Sequence, residues 1–428
     1  MTKKFQLGLW SATAMVIGNM IGSGVFLLPT TLAPYGWISY IAWTCSAVGA
    51  ILLALVFGNL AKLDPNQTGG PYAYTKSGLG KFPGFLVAWG YWISIWCTNA
   101  AIAVALVGYL EVFFPSLGTN KLAAIITGLS FIWVLTFLNT KSLKEILLVQ
   151  RITTFLKLTP ILLLGILGLF YLNFDFESSK IMQEGSLFEL ITSATTLTFF
   201  AFLGMESATI VSSDTKNPEK NVNRATLLGT LITGLAYLLS YLVISQTLDQ
   251  ELLMNSNAPF ADTAGVIWGD SARYFIAAAA VIATVGALNG WLLIQSKIPF
   301  AAASDELFPK IFSKTNSNNI PIAGILISSA LVSLLMLLNY SKTLVQAFSF
   351  MMKLSTLSVI TPYLFSTSVL VLWTYQRKLK HKKRILVLSA FALLFSLWMV
   401  MGSGLEIVLW GLFLLALGLP VYVYLKKN

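Results

Sequence analysis

The stretch VIGNMIGSGVFLLP (Val16–Pro29) places Gly18, Gly22, Ser23 and Gly24 inside an apolar run. A helix interrupted there leaves backbone N–H and C=O groups without intrahelical partners. In hydrocarbon such groups persist only where they line a cavity or pack on protein. The chemistry on offer is backbone hydrogen bonding: the amide hydrogens that open a second half-helix suit a carboxylate. Close helix–helix packing is the other use of small residues at this spacing. A second run, TLTFFAFLGMESATIV, carries Gly204 and then Glu206. An ionisable side chain inside a membrane segment is costly and marks a functional site. Phe199, Phe200 and Phe202 precede that break. Such a cluster also serves core or lipid contact; nearness to the break singles out Phe200. Two lysines, Lys157 and Lys353, likewise sit within apolar runs.

Other chemistries find little support. An intramembrane enzyme needs a nucleophile, a base or metal ligands at helical spacing. The single histidine, His381, lies in a basic loop, and no HExxH or clustered carboxylates occur. Cys45 and Cys97 both fall in apolar segments and make neither a disulfide framework nor a metal site. No enzyme activity, metal or cofactor is therefore expected.

The elements that must position these residues are membrane helices. The chain has 428 residues, 56% hydrophobic and only 11% charged, against about 25% charged in soluble domains. Apolar segments long enough to span a bilayer recur from end to end. They predict one polytopic, all-α domain over residues 1–428, with spans at 8–32, 38–63, 82–110, 122–139, 146–172, 188–211, 225–247, 273–301, 320–340, 345–373, 385–402 and 405–425. The first is too long for a signal peptide and is expected to remain in the mature protein. On the N-terminal side of the membrane, in loops and span ends, lie 22 Lys and Arg; the opposite side has only Lys121, Lys180, Arg273 and Lys342, and two lysines remain within the membrane. The positive-inside rule then puts both termini in the cytoplasm of a cell (inner) membrane protein. The net charge of +11 becomes a topology signal with some attraction to anionic lipid, not a nucleic-acid signature. The external loop 173–187 is acidic, and the stretch 248–270 is expected to form a partly helical external cap whose acids make a solvated face. Breaks in spans one and six, five apart, match an inverted five-plus-five repeat over about 8–172 and 188–373, with 385–425 peripheral and available for a homodimer interface.

Six motifs, GNMIGSGVFLLP, GGPYAY, FLGMESA, KNPEKNV, GALNGW and AASDELFP, resemble those of the amino acid–polyamine–organocation transporters. Within that superfamily the chain resembles the basic amino acid/polyamine antiporters, such as arginine/agmatine exchangers, over nearly its whole length. The resemblance implies a broken-helix fold and transport by alternating access. Met20, Ser23 and Gly24 would hold the substrate carboxylate, and open carbonyls at Phe202 and Gly204 the amino group. Phe200 would be an aromatic wall, Trp291 a gate, and Asn99 would face the substrate side chain. Glu206 matches an acidic residue linked in the family to proton sensitivity. On the residues alone, Trp291 could equally be packing and Asn99 an interhelical hydrogen bond.

Two lysines depart from the exchanger pattern. Lys157 stands where those exchangers have a small residue; in other branches it resembles a charge replacing a sodium ion. It is a candidate proton carrier or a fixed strut, and it argues against sodium coupling. Lys353 stands near small hydroxyl residues of the side-chain pocket. Facing that pocket at ~4 Å and an effective dielectric of ~20, it would repel a cationic substrate by about 4 kcal/mol, roughly a thousandfold. Pairing with Glu206, or rotation away from the pocket, would remove that effect. Together with phenylalanine rather than the family's tryptophan at position 200, a pocket-facing Lys353 argues against an arginine or lysine substrate and for a neutral or acidic amino acid. The expected function is secondary amino acid transport, by antiport of amino acids or amines. Proton symport is the alternative suggested by Lys157. A non-transporting amino acid sensor on the same fold is more remote, since sensors often append a regulatory domain and the termini here are short.

Overall fold

The computed structural model of the chain describes residues 7–22, 24–65, 69–141, 156–158, 160–172, 180–210, 212, 215–318, 320–339, 341–379 and 381–427. Among these the regular structure is helical, and the only strand-like pairing is an isolated bridge between Leu7 and Thr215. Among the described residues eight helices are long and apolar enough to cross a membrane: Ile38–Leu63, Lys81–Glu111, Lys121–Lys141, Pro218–Thr247, Asp270–Ser304, Leu344–Gln376, Lys382–Gly402 and Leu405–Lys427. The pair Leu9–Met20 and Gly24–Tyr35 meets the same test when taken together. Shorter apolar helices cover Leu156–Tyr171, Leu187–Phe202 and Ile322–Leu338. Each lies where the hydropathy places a span, although residues 146–155 of the expected fifth span fall outside the described set.

Burial orders the helices from centre to edge. The most apolar stretch of Lys81–Glu111 is 94% buried, against 17% for Leu405–Lys427. The former packs between Leu344–Gln376 and Asp270–Ser304. A helix enclosed by other helices can be apolar all round. The last two helices instead expose Leu394, Met401, Leu405, Leu409 and Phe413. A continuous apolar belt of that kind suits lipid. The ends of Lys81–Glu111 mark two opposite faces. Near one end Lys81 approaches Glu306. Beyond the other, Lys121 Nζ donates to the Ser341 carbonyl at 2.6 Å. Helices Leu187–Phe199 and Leu344–Gln376 each begin with a capping box, Ser186 with Glu189 and Thr343 with Gln346. Each box satisfies amide donors that a helix start leaves free.

The first segment is broken as its glycines suggest. Leu9–Met20 and Gly24–Tyr35 meet at 44°. The freed carbonyls find side-chain donors: Lys157 Nζ reaches the Gly18 oxygen at 3.3 Å, and the Tyr237 hydroxyl the Met20 oxygen at 2.8 Å. The second break follows Leu187–Phe199, which tightens into a 3-10 turn at Phe200–Phe202 before a short helix at Ser207–Ile210. Gly204 holds φ at +98°, a region side chains other than hydrogen rarely enter. A Cβ there would lie 3.1 Å from the Asn19 carbonyl carbon and oxygen. The two breaks therefore rest directly on each other, backbone against backbone.

Candidate functional site

Between the breaks is a closed pocket lined by Asn19, Met20, Gly22, Gly24, Thr98, Ile102, Phe200, Ala201, Leu203 and Trp291. The space left for water centres is ≈ 10 Å³, room for about one water. The Phe200 ring lies against Gly24 at its wall. A Cβ on Gly24 would stand 2.8 Å from Phe200 Cδ1, so the absence of a side chain at Gly24 lets the ring lie against the opening turn. Phe348 meets that ring edge-on at 6.3 Å.

Of the residues singled out in the sequence, Met20, Gly24, Phe200 and Trp291 line this pocket. Ser23 lies outside the described residues. Phe202 turns the other way, onto Trp43 and Tyr237 at 6.2 and 5.9 Å between ring centres. Its carbonyl accepts the Met205 N–H at 3.3 Å. The Gly204 carbonyl accepts both the N–H and the hydroxyl of Ser207, at 3.0 and 2.6 Å. Neither carbonyl is bare in this conformation; the turn itself uses them. Asn99 also points elsewhere: its amide donates to Gln295 Oε1 at 2.7 Å, the interhelical hydrogen bond that is the alternative for this residue. One position earlier, Thr98 faces the pocket and its hydroxyl lies 2.7 Å from Ser355. A single step along a helix turns the side chain by about 100°, which separates the two.

Glu206 is wholly buried and accepts two phenol hydroxyls, Tyr91 at 2.6 Å and Tyr363 at 3.0 Å. This ties the second break to helices Lys81–Glu111 and Leu344–Gln376. Neither tyrosine was singled out in the sequence. A buried acid needs donors, and aromatic hydroxyls on neighbouring spans are the signal that could have found them. Lys353 does not pair with Glu206. Its Nζ approaches Ser193 Oγ at 3.4 Å, and it lines a separate cavity of ≈ 570 Å³ that opens toward the Lys342 face.

A match to the amino acid permease family model covers residues 7–414. The chain belongs to the amino acid permease family. It is 30% identical to an arginine/ornithine antiporter of Pseudomonas aeruginosa, over all of this chain and 92% of that protein. It is 31% identical to an arginine/agmatine antiporter of Chlamydia caviae, over 99% of this chain and 91% of that one. A putative arginine/ornithine antiporter of Bacillus subtilis is 30% identical over all of this chain and 98% of its own length. The likeness to transporters thus extends from end to end.

Two of the permease motifs meet at the Lys76 face. Tyr72 and Lys76, in and just after GGPYAY, reach Asp305 of AASDELFP. The Tyr72 hydroxyl donates to one carboxylate oxygen at 2.6 Å, and Lys76 Nζ lies 2.6 Å from the other. Partial burial opposes ionisation of Asp305, but Lys76 and Tyr72 outweigh it and hold the carboxyl below its usual range. This ion pair and hydrogen bond fasten the short helix Pro71–Leu79 to the end of Asp270–Ser304.

Proposed function

We propose that this permease is a multi-pass cytoplasmic-membrane antiporter that exchanges an amino acid for a related amino acid or amine by alternating access. The observation that carries the reading is the abutment of the two backbone breaks, Gly204 on Asn19, around a closed pocket. The full-length likeness to named antiporters supports exchange in particular. In this reading the chain has twelve spans, both termini cytoplasmic, and inverted repeats at about 8–172 and 188–373. The substrate carboxylate meets the amide hydrogens that open the half-helix at Gly24. The amino group meets carbonyls of the second break once the Gly204 turn loosens. Phe200 and Trp291 close over the substrate, and the Lys342 face is external.

The occupied pocket requires Phe200 to swing off Gly24, because ≈ 10 Å³ holds no amino acid. The Tyr72–Lys76–Asp305 latch holds the cytoplasmic side shut in the conformation described. Opening inward then requires the latch and the Glu206–tyrosine contacts to separate. Proton symport remains the second reading, on the specific contact of Lys157 with the carbonyl of broken Gly18. Counterflow in proteoliposomes tests the proposal: a labelled amino acid should accumulate transiently against excess unlabelled substrate inside, and not in vesicles that are empty. Uptake into empty vesicles that follows an imposed pH gradient would replace antiport by symport.

A further inference from the structure

The Lys342 face holds two cavities, of ≈ 450 and ≈ 570 Å³, that share Met254, Lys342, Val345 and Gln346 in their walls. Lys121 and Lys342 line the first, Lys342 and Lys353 the second, and among the described residues no Asp or Glu lines either. Lys342 rests over the Phe350 ring at 4.0 Å. Lys353 has Ser193 beside it, whose hydroxyl is 3.0 Å from that of Tyr35. Among the described residues, neither Lys342 nor Lys353 has a carboxylate within 4.0 Å. Thr30, Thr31, Tyr35, Gln183, Gln346 and Ser349 make up the rest of the larger cavity's polar lining, with the Thr30, Thr31 and Ser349 hydroxyls donating to the carbonyls of Ser256, Leu27 and Val345. Two ammonium groups with no carboxylate in contact among the described residues are the chemistry that receives an anion.

This cavity and the pocket share no lining residue, but the elements that line them adjoin. Leu197 forms part of the cavity's wall, and Leu197 is less than one turn from Phe200. Lys353 itself is rooted five residues beyond Phe348, which packs on Phe200. Five residues are about 7.5 Å along a helix. The side chain thus starts near the depth of the pocket and extends outward to Ser193.

Resting on the antiporter reading, we propose that Lys353 is the specificity-determining residue of an anion-selecting vestibule, and that the substrate class is amino acids with a second carboxylate in the side chain. Lys353 binds that distal carboxylate, with Lys342 drawing the anion in, and a guanidinium or ammonium side chain is repelled at the same place. This sets the chain apart from relatives whose names specify arginine.

The test is counterflow of labelled L-glutamate and L-arginine in proteoliposomes of the full chain, with Lys353→Met and Lys353→Arg beside the wild type. Wild type should exchange glutamate at least ~10-fold faster than arginine, and Lys353→Met should lower glutamate exchange roughly 10- to 100-fold, as loss of a charged hydrogen bond does. Lys353→Arg should stay within about threefold of wild type, since it keeps the charge and the donors. A role in packing alone would not reverse substrate preference or be rescued by arginine. Wild type that exchanges arginine but not glutamate overturns the vestibule and leaves antiport standing. Equal loss of both substrates in Lys353→Met also overturns it. Saturable glutamate binding in detergent, sensitive to Lys353→Met but without exchange in any variant, would uphold the vestibule and overturn antiport. Absence of both binding and exchange overturns both.

Discussion

Gly204→Ala probes the contact on which the site depends. Two costs add at this position. With φ at +98°, any L side chain is strained by about 1–2 kcal/mol. The new Cβ would also stand 3.1 Å from the Asn19 carbonyl carbon and oxygen. Those are backbone atoms and cannot rotate aside, so overpacking adds roughly 1–3 kcal/mol. The sum is about 2–5 kcal/mol, enough to pry the two breaks apart. Two other glycines separate the terms. Gly80 has φ +95° but open space around a Cβ, so Gly80→Ala should show the backbone term alone. Gly24 lacks the positive φ, and its Cβ would meet the Phe200 ring at 2.8 Å; Gly24→Ala should displace that ring. Thermal melting in detergent and counterflow would be measured on all three. The expected order of destabilisation is Gly204→Ala above Gly80→Ala, with exchange abolished in Gly204→Ala and retained in Gly80→Ala. Gly204→Ala with wild-type melting and wild-type exchange would refute the backbone-on-backbone contact as the basis of the site.

Glu206→Gln should slow exchange roughly 10-fold, because it replaces a carboxyl that accepts two phenols by an amide with one acceptor oxygen and leaves one buried phenol unpaired, at about 1–3 kcal/mol; Tyr363→Phe, which leaves the shorter Tyr91 contact, should do less, and both are read by counterflow rates. Lys157→Met should lower the melting temperature by removing the donor to the Gly18 carbonyl, with a partial rescue expected from Lys157→Gln. Asp305→Asn should raise labelling of a cysteine introduced at Ala303 from the cytoplasmic side, as the latch loosens; the pair is partly exposed, so its stabilising effect is at most about 1 kcal/mol. The Asp305 carboxyl is held below its usual range, so its contribution is fully present above the unfolded value of about 3.9 and is lost only as pH falls through the lower folded value. The latch should therefore be constant between about pH 5 and 8, and a ratio of Asp305→Asn to wild-type labelling at matched pH that changes within that window would contradict the assignment.

The features legible in the sequence were those that break a pattern. Gly18, Gly22 and Gly24 interrupt an apolar run, and Gly204 interrupts another; both interruptions are breaks in the structure. Charges in apolar runs were equally visible, and Glu206 and Lys157 are buried among backbone and hydroxyl partners. Rotation about an enclosed helix was not legible. Lys81–Glu111 is apolar on every side, so nothing in its periodicity distinguishes Thr98, which faces the pocket, from Asn99, which bonds Gln295. Lys353 illustrates a different limit. Its position on the chain gives the depth of its Cα, but a flexible four-carbon stem carries the charge about one helical turn or more away. The meeting of Tyr72 and Lys76 with Asp305 joins positions more than 200 residues apart, and only the packing of the helices brings them together.

Efflux from proteoliposomes preloaded with one labelled amino acid tests the central claim most directly. Exchange around a closed two-break pocket predicts rapid loss of label when unlabelled substrate is present outside, and near-complete retention in substrate-free buffer. Equal efflux into both buffers would contradict obligatory exchange.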